Sequence, residues 1–192
     1  MKSFRHFIEK YTPLTDAEWL EIFAVFEPIE LNKNQMLLQQ GKICRHLYFI
    51  ESGMLRFYIL KDGNDITKFF TIAPYCFTSQ VSFTAQKPAA DNIQAIEKSM
   101  VWQTSLQNAN ALLVMPAWNT FIRKLIQEVQ SFTESILEEI QTETAEKRYE
   151  KLLQNSPDWV SRIPLKYLAS YLGIAPQSLS RIRKNYLAKS RS

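Results

Sequence analysis

Four side chains near the C-terminal end, Gln177, Ser180, Arg181 and Lys184, have the types and the spacing to read a DNA duplex. At 3.6 residues per turn they gather on one side of a helix. Gln can pair bidentately with adenine, and Arg with guanine, in the major groove. Ser178 and Arg183 fall on the flanks of that side, where phosphate contacts belong. The other side is apolar, with Leu179, Ile182 and Tyr186 at i, i+3, i+7 spacing. Pro176 opens this helix at the position where a missing N–H costs nothing.

A second helical pattern must hold the first in place. Leu165, Leu168, Ala169 and Leu172 share one face just upstream. Gly173 stands between the two patterns and supplies the positive φ that a tight turn between helices needs. Ala169, four residues before Gly173, puts a small side chain where the helices cross. The stretch Pro164–Leu187 therefore has the layout of a helix-turn-helix. One position dissents: Ala175 falls at the N-cap of the second helix, where Ser, Thr, Asp or Asn would satisfy a free N–H.

The charge distribution coincides with this pattern. Residues 1–142 carry 13 Lys+Arg and 15 Asp+Glu, a net of −2, and residues 143–192 carry 10 and 4, a net of +6. From Trp159 onward there are seven basic residues and no acidic one, which is the electrostatic footprint of a nucleic-acid binder.

The rest of the chain reads as two further parts. Thr15 and Glu18 make a capping box for a helix that turns Trp19, Ile22, Phe23 and Phe26 inward. Then the period changes to short aromatic and aliphatic runs at Gln35–Gln39, His46–Ser52, Met54–Lys61, Asp65–Ile72, Asn92–Ile96 and Met100–Thr104. Turn signals at Gly41, Gly53 and Gly63 separate the first four, as in an antiparallel barrel or jelly roll. From Pro116 the period is helical again. Trp118, Ile122, Leu125, Val129, Phe132, Ile136 and Ile140 follow coiled-coil-like spacing and form a candidate dimer interface. A helix packed along its own barrel would give the same stripe, and the two arrangements can coexist. The fold class is thus α+β: a sensor-like jelly roll over 1–115, a long dimerisation helix over 116–141 and an all-α helix-turn-helix domain over 142–192.

Composition excludes other classes. No apolar run approaches the roughly 20 residues that cross a membrane, and the N-terminal stretch lacks an apolar signal region, so a cytoplasmic location is expected. Cys44 and Cys76 are too few for a disulfide framework or a four-cysteine cluster, and read as buried thiols. A metal enzyme on this barrel would need several His with a carboxylate, but only His6 and His46 are present. The expectation is no enzyme, no metal and no cofactor.

The segments Leu47-Tyr48-Phe49-Ile50-x-Ser52-Gly53 and Ile163–Lys184, in the order jelly roll, long helix, helix-turn-helix, resemble the Crp/Fnr superfamily of bacterial transcription regulators. The resemblance implies a homodimer on a palindromic operator, with RNA polymerase as a further partner. It places the base-contact positions at Pro176, Gln177 and Arg181. Pro176 has no side-chain group to bond a base, which leaves Gln177 and Arg181 as the base readers. It also implies a cassette for a cyclic nucleotide, and there the chain departs from the family. Ser79 stands where a ribose-binding Glu belongs, and Ala89 and Ala90 where a phosphate-binding Arg-Ser pair belongs. Lys87 is offset by two residues. Cyclic AMP and cyclic GMP are therefore not the expected ligands, and Arg56, Phe70, Ser79 and Ser82 are candidates to line a pocket for another small molecule. Few residues follow the second helix, so a wing drawn from Asn155–Ile163 is expected to be minimal or absent. The alternative is a degenerate sensor or protein-interaction module of the same fold without specific DNA binding.

Ala175→Thr should stabilise the C-terminal domain by about 0.5–1.5 kcal/mol. Thermal denaturation checks this, and a lower melting temperature would show that the helix starts elsewhere.

Overall fold

The computed structural model describes residues 2–189, apart from the side chains of Leu187 and Lys189. Two of the seven C-terminal basic side chains, those of Lys189 and Arg191, thus lie outside the described residues. The chain divides into two compact units. One comprises Met1–Ile59 and Phe69–Gln130, the other Leu60–Lys68 and Ser131–Ser192.

The first unit is built around two four-stranded sheets. Two helices precede them, α1 (Lys2–Glu9) and α2 (Asp16–Ala24). The predicted capping box starts α2: Thr15 Oγ1 accepts from the Glu18 N–H, and the Glu18 carboxylate accepts from the Thr15 N–H at 2.8 Å. The strands are β1 (Glu27–Leu31), β2 (Met36–Leu38), β3 (His46–Ser52), β4 (Met54–Lys61), β5 (Asn64–Ile72), β6 (Tyr75–Phe77), β7 (Asn92–Ala95) and β8 (Ser99–Ser105). Their order is β1-β8-β3-β6 in one sheet and β2-β7-β4-β5 in the other. Every register described is antiparallel, as in a jelly roll. Helix α3 (Gln80–Ala85) lies between β6 and β7 in sequence. After β8 come α4 (Leu106–Ala111), a 3-10 turn and the long α5 (Pro116–Thr142).

Inward alternation along the strands fills this unit with Phe49, Leu55, Phe57, Ile93 and Val101. Phe4 of α1 stacks on Phe49 with centroids 4.2 Å apart. Helix α5 contributes Trp118, Phe121 and Leu125 to the same core. Trp118 Nε1 donates to the Ala109 carbonyl at 3.2 Å. Lys124 donates to the Tyr11 carbonyl, and the Tyr11 hydroxyl donates to Glu128, each at 2.6 Å. Burial and that carboxylate raise the Tyr11 hydroxyl well above its usual pKa.

This packing corrects the proposed seam. Trp118 and Leu125 are buried in their own unit and have no surface to offer a partner chain. Ile122 and Ile136 are half-buried. Val129 and Phe132 are exposed, and Ile126, Leu137 and Ile140 join them, each between 43% and 56% exposed. The first turns of α5 thus pack on the barrel, and from Ile126 onward the helix carries partly exposed apolar side chains.

Cys44 and Cys76 are free and buried, and burial pushes the Cys76 thiol up to about 12.

The second unit is helical over residues 145–189. Thr144 caps α6 (Ala145–Asn155), its hydroxyl accepting from the Lys147 N–H, and α7 (Pro157–Arg162), α8 (Leu165–Leu172) and α9 (Pro176–Lys189) follow. Ser170 of α8 bonds the Leu60–Lys68 segment of this unit. Ser170 Oγ accepts from the Thr67 N–H at 2.9 Å and donates to the Asp65 carbonyl at 3.1 Å.

Gly53, between β3 and β4, has φ +98°, and a Cβ there would lie 2.2 Å from Ser99 Oγ and 2.7 Å from the Lys98 carbonyl. Gly63 has φ +77° but open space around it. Gly53→Ala should therefore cost about 2–4 kcal/mol, against about 1 kcal/mol for Gly63→Ala. Urea unfolding of both variants checks this, and equal losses would show that only the backbone angle matters at Gly53.

Candidate nucleic-acid interface

The turn between α8 and α9 is a Schellman motif. Gly173 adopts φ 71°, ψ 28°. Its N–H donates to the Ser170 carbonyl at 3.1 Å, and the Ile174 N–H donates to the Ala169 carbonyl at 3.0 Å. Two residues later the next helix begins: the Ala175 carbonyl accepts from the Leu179 N–H at 3.1 Å. Ala175 thus occupies the N-cap position, and Pro176 is the first helical residue. Leu168, Ala169, Leu172 and Leu179 are all buried where α8 and α9 pack together.

This arrangement turns one face of α9 outward. Gln177, Ser180, Arg181 and Lys184 are exposed, as is Pro176 at the helix start, and Ser178 is half-buried. Neither Arg181 nor Lys184 makes an ion pair among the described residues. Their charges remain available to an external anion.

Arg183 lies on the inner flank of α9. It is half-buried, its guanidinium donates to the Val160 carbonyl at 3.5 Å, and it lies 5.8 Å from the Tyr149 ring centroid. A flanking position on the helical wheel can turn either way, and here the buried Tyr149 ring and the end of α7 draw the long side chain inward. Arg148 was not singled out from the sequence. Its guanidinium donates to the Leu172 carbonyl at 2.6 Å, next to the Gly173 turn, and so closes the C-terminus of α8. Only its place in the basic C-terminal segment hinted at a role.

The stretch Asn155–Ile163, where a wing is expected to be minimal or absent, forms α7. Pro157 is its first residue and Val160 its buried one. Among the described residues, none between 143 and 189 forms a strand.

In the first unit, the cassette region is bonded to itself. Ser82 Oγ accepts from the Cys44 N–H at 2.8 Å and donates to the Lys87 carbonyl at 2.6 Å. Ser79 Oγ donates to the Asp91 carboxylate at 3.2 Å. Ala89 is buried, while Lys87 and Ala90 are exposed. The four pocket candidates separate into two pairs. Ser79 and Ser82 belong to the α3 region, whereas Arg56 and Phe70 alternate with Leu55, Phe57 and Phe69, which face the core. Arg56 is buried on the other face of β4, where it donates to Gln94 at 3.1 Å and lies 3.9 Å from the Tyr58 ring centroid.

This combination of an antiparallel roll, a long helix and a helix-turn-helix defines a class. Residues 28–114 match the cyclic nucleotide-binding domain family. The solved structures that resemble the chain extend the match beyond that domain. A CooA variant from Carboxydothermus hydrogenoformans shares 18% identity, with 93% of this chain and 88% of the other covered at a TM-score of 0.72. A Crp/Fnr-family transcriptional regulator from Eubacterium rectale shares 18% identity, with 94% and 88% covered at 0.70. The c-di-GMP responsive global regulator CLP of Xanthomonas campestris shares 12% identity, with 92% and 93% covered at 0.68. No curated protein sequence matches the chain. Residues 28–114 thus match a cyclic nucleotide-binding domain, and the chain shares the overall fold of these regulators. No helix among the described residues is long and apolar enough to cross a membrane.

Ala169→Leu should destabilise the second unit by about 1–3 kcal/mol, because the added atoms have no space where α8 crosses α9. Thermal unfolding followed by circular dichroism checks this, and an unchanged midpoint would show that the crossing can open without cost.

Proposed function

We propose that this protein is a sequence-specific, double-stranded-DNA-binding transcription regulator that acts as a homodimer, in which Gln177 and Arg181 read bases. The observation that carries the reading is the outward face of α9, where Gln177, Ser180, Arg181 and Lys184 stand exposed in a segment free of acidic residues. Such a face suits the major groove, with Lys184, Ser178 and Ser180 on phosphates. Arg183 supports the helix pair from within. Likeness to regulators of the same fold supports the reading.

The part of α5 from Ile126 onward supports the dimer. An exposed apolar stripe of Ile126, Val129, Phe132, Leu137 and Ile140 marks an interaction surface, and two copies packed along it would pair two reading helices. The symmetric target is then a palindrome, and RNA polymerase is the expected further partner of the bound complex.

Cyclic AMP does not control this regulator in our reading. A cyclic phosphate in a partly dry site needs an Arg, a Lys or a fan of free N–H groups. At the matching positions stand Ala89, whose side chain is buried, and Ser79, already bonded to a carboxylate. An added anion beside Asp91 would meet like charge. The chain needs no cofactor or metal for this role, and it is not an enzyme.

Arg181→Ala should weaken binding to the selected operator by about 1–3 kcal/mol and narrow its gap to random duplex. Fluorescence anisotropy at several salt concentrations measures both. Equal losses on the two duplexes would reduce Arg181 to a phosphate contact, and no binding to any duplex would leave the chain as a module without DNA function.

A further inference from the structure

Helix α5 ends on charges of the wrong sign. Glu139 stands in its last turn, which holds no basic residue, and Glu143 follows it directly. The Glu143 N–H still donates to the Glu139 carbonyl at 3.0 Å, so the two carboxylates keep helical i, i+4 spacing. The C-terminus of a helix carries partial negative charge, and like charges at this spacing repel each other. Glu143 Oε2 is moreover buried and accepts no hydrogen bond among the described residues. The cation that this end lacks comes from the next helix. Lys151 of α6 reaches back across the connection Glu143–Thr144 and places its ammonium 2.6 Å from Glu143 and 3.4 Å from Glu139. The Glu143 carboxylate in turn holds that ammonium above its ordinary pKa.

The same helix holds the helix-turn-helix. Arg148 lies three residues before Lys151 and so on the same side of α6. It donates to the Leu172 carbonyl at 2.6 Å, beside the Gly173 turn. Thr144 fixes the start of α6: its hydroxyl accepts from the Lys147 N–H, and its carbonyl accepts from the Arg148 N–H at 3.0 Å. A line of contacts thus runs from Glu139 and Glu143 through Lys151 and Arg148 to the end of α8. All of these residues belong to the second compact unit. A single exposed ion pair fixes little, but here one ammonium is shared by two carboxylates, one of them with a buried oxygen. Removing the ammonium leaves the two carboxylates to repel each other at the connection.

We infer that Lys151 determines which operator spacing the protein accepts, by pinning the angle between α5 and the helices that carry α9. The inference rests on the reading of the protein as a dimer that pairs along α5 and reads DNA through α9. In such a dimer each reading helix stands on an arm whose direction the α5–α6 connection sets. One base pair more or less moves a half-site by about 3.4 Å and turns it by about 36° around the duplex. Arms held at one angle match one spacing, and arms free to bend accept several. Lys151 touches no base in this role. It is a positioning residue that acts through Glu139 and Glu143.

The test compares the full chain with Lys151→Met, Lys151→Arg and the charge swap Lys151→Glu with Glu143→Lys. Fluorescence anisotropy measures each on palindromes of the selected half-site, with the spacer lengthened or shortened by one and two base pairs, and on a duplex with a single half-site. Lys151→Met should bind the single half-site as the wild type does, while its preference for the best spacing shrinks by roughly tenfold. Lys151→Arg and the swap should keep that preference. Amide exchange over residues 139–148, followed without DNA, should quicken in Lys151→Met and not in the swap, with thermal melts of each variant confirming the fold. An unchanged spacing preference or unchanged exchange in Lys151→Met would overturn the inference and leave the DNA reading intact. A wild type that binds palindromes without regard to spacing would overturn the dimeric reading and the inference with it.

Discussion

The left-handed turn at Gly173 is the constraint on which the rest of the C-terminal unit depends. Its φ of 71° lets α8 end in a Schellman motif and lets α9 start within three residues. That short connection fixes the crossing of the two helices, and Ala169 and Leu179 fill the crossing completely. Arg148 adds a charged cap on the Leu172 carbonyl immediately before the turn. Once these contacts are set, helical geometry leaves Gln177, Ser180, Arg181 and Lys184 no direction but outward. The basic side chains of this segment thus divide, with Arg148 and Arg183 turned to the scaffold and Arg181 and Lys184 exposed.

The first unit pairs a family layout with an internally bonded α3 region. The roll, the α3 segment and the return to β7 keep the layout of a cyclic nucleotide-binding domain. The hydrogen-bond donors and acceptors of that layout are nevertheless spent internally. Ser82 joins Cys44 to Lys87, and Ser79 faces Asp91. The same internal bonding holds the Gly41–Cys44 segment to the α3 region and to Ala89.

Much of this was legible in the sequence, and the exceptions have physical causes. Strands β3 and β4 lie where alternation and the glycine turns put them, because each is seven or eight residues long and strongly apolar. Strands β1 and β6 escaped. The first carries Pro28 between two glutamates, and the second is three residues long, too short to show a period. Pro157 reads as a terminator, yet it also suits the first position of a helix, which is how α7 arises where only a minimal wing or none is expected. The stripe on α5 was visible, but its division was not. A spacing of three and four residues is the same whether barrel or partner covers it, and only tertiary packing distinguishes Trp118 and Leu125 from Val129 and Phe132. In the reading helix the exposed residues followed from the wheel. The inward turn of Arg183 did not, because a long side chain at the boundary goes wherever a carbonyl and an aromatic ring receive it.

Selection of bound sequences from a random duplex pool by the full chain tests the central claim most directly. A dimer that reads DNA through α9 predicts enrichment of a palindrome whose half-sites lie about one helical turn, roughly 34 Å, apart. An enriched site without two-fold symmetry, or no enrichment at all, would contradict it.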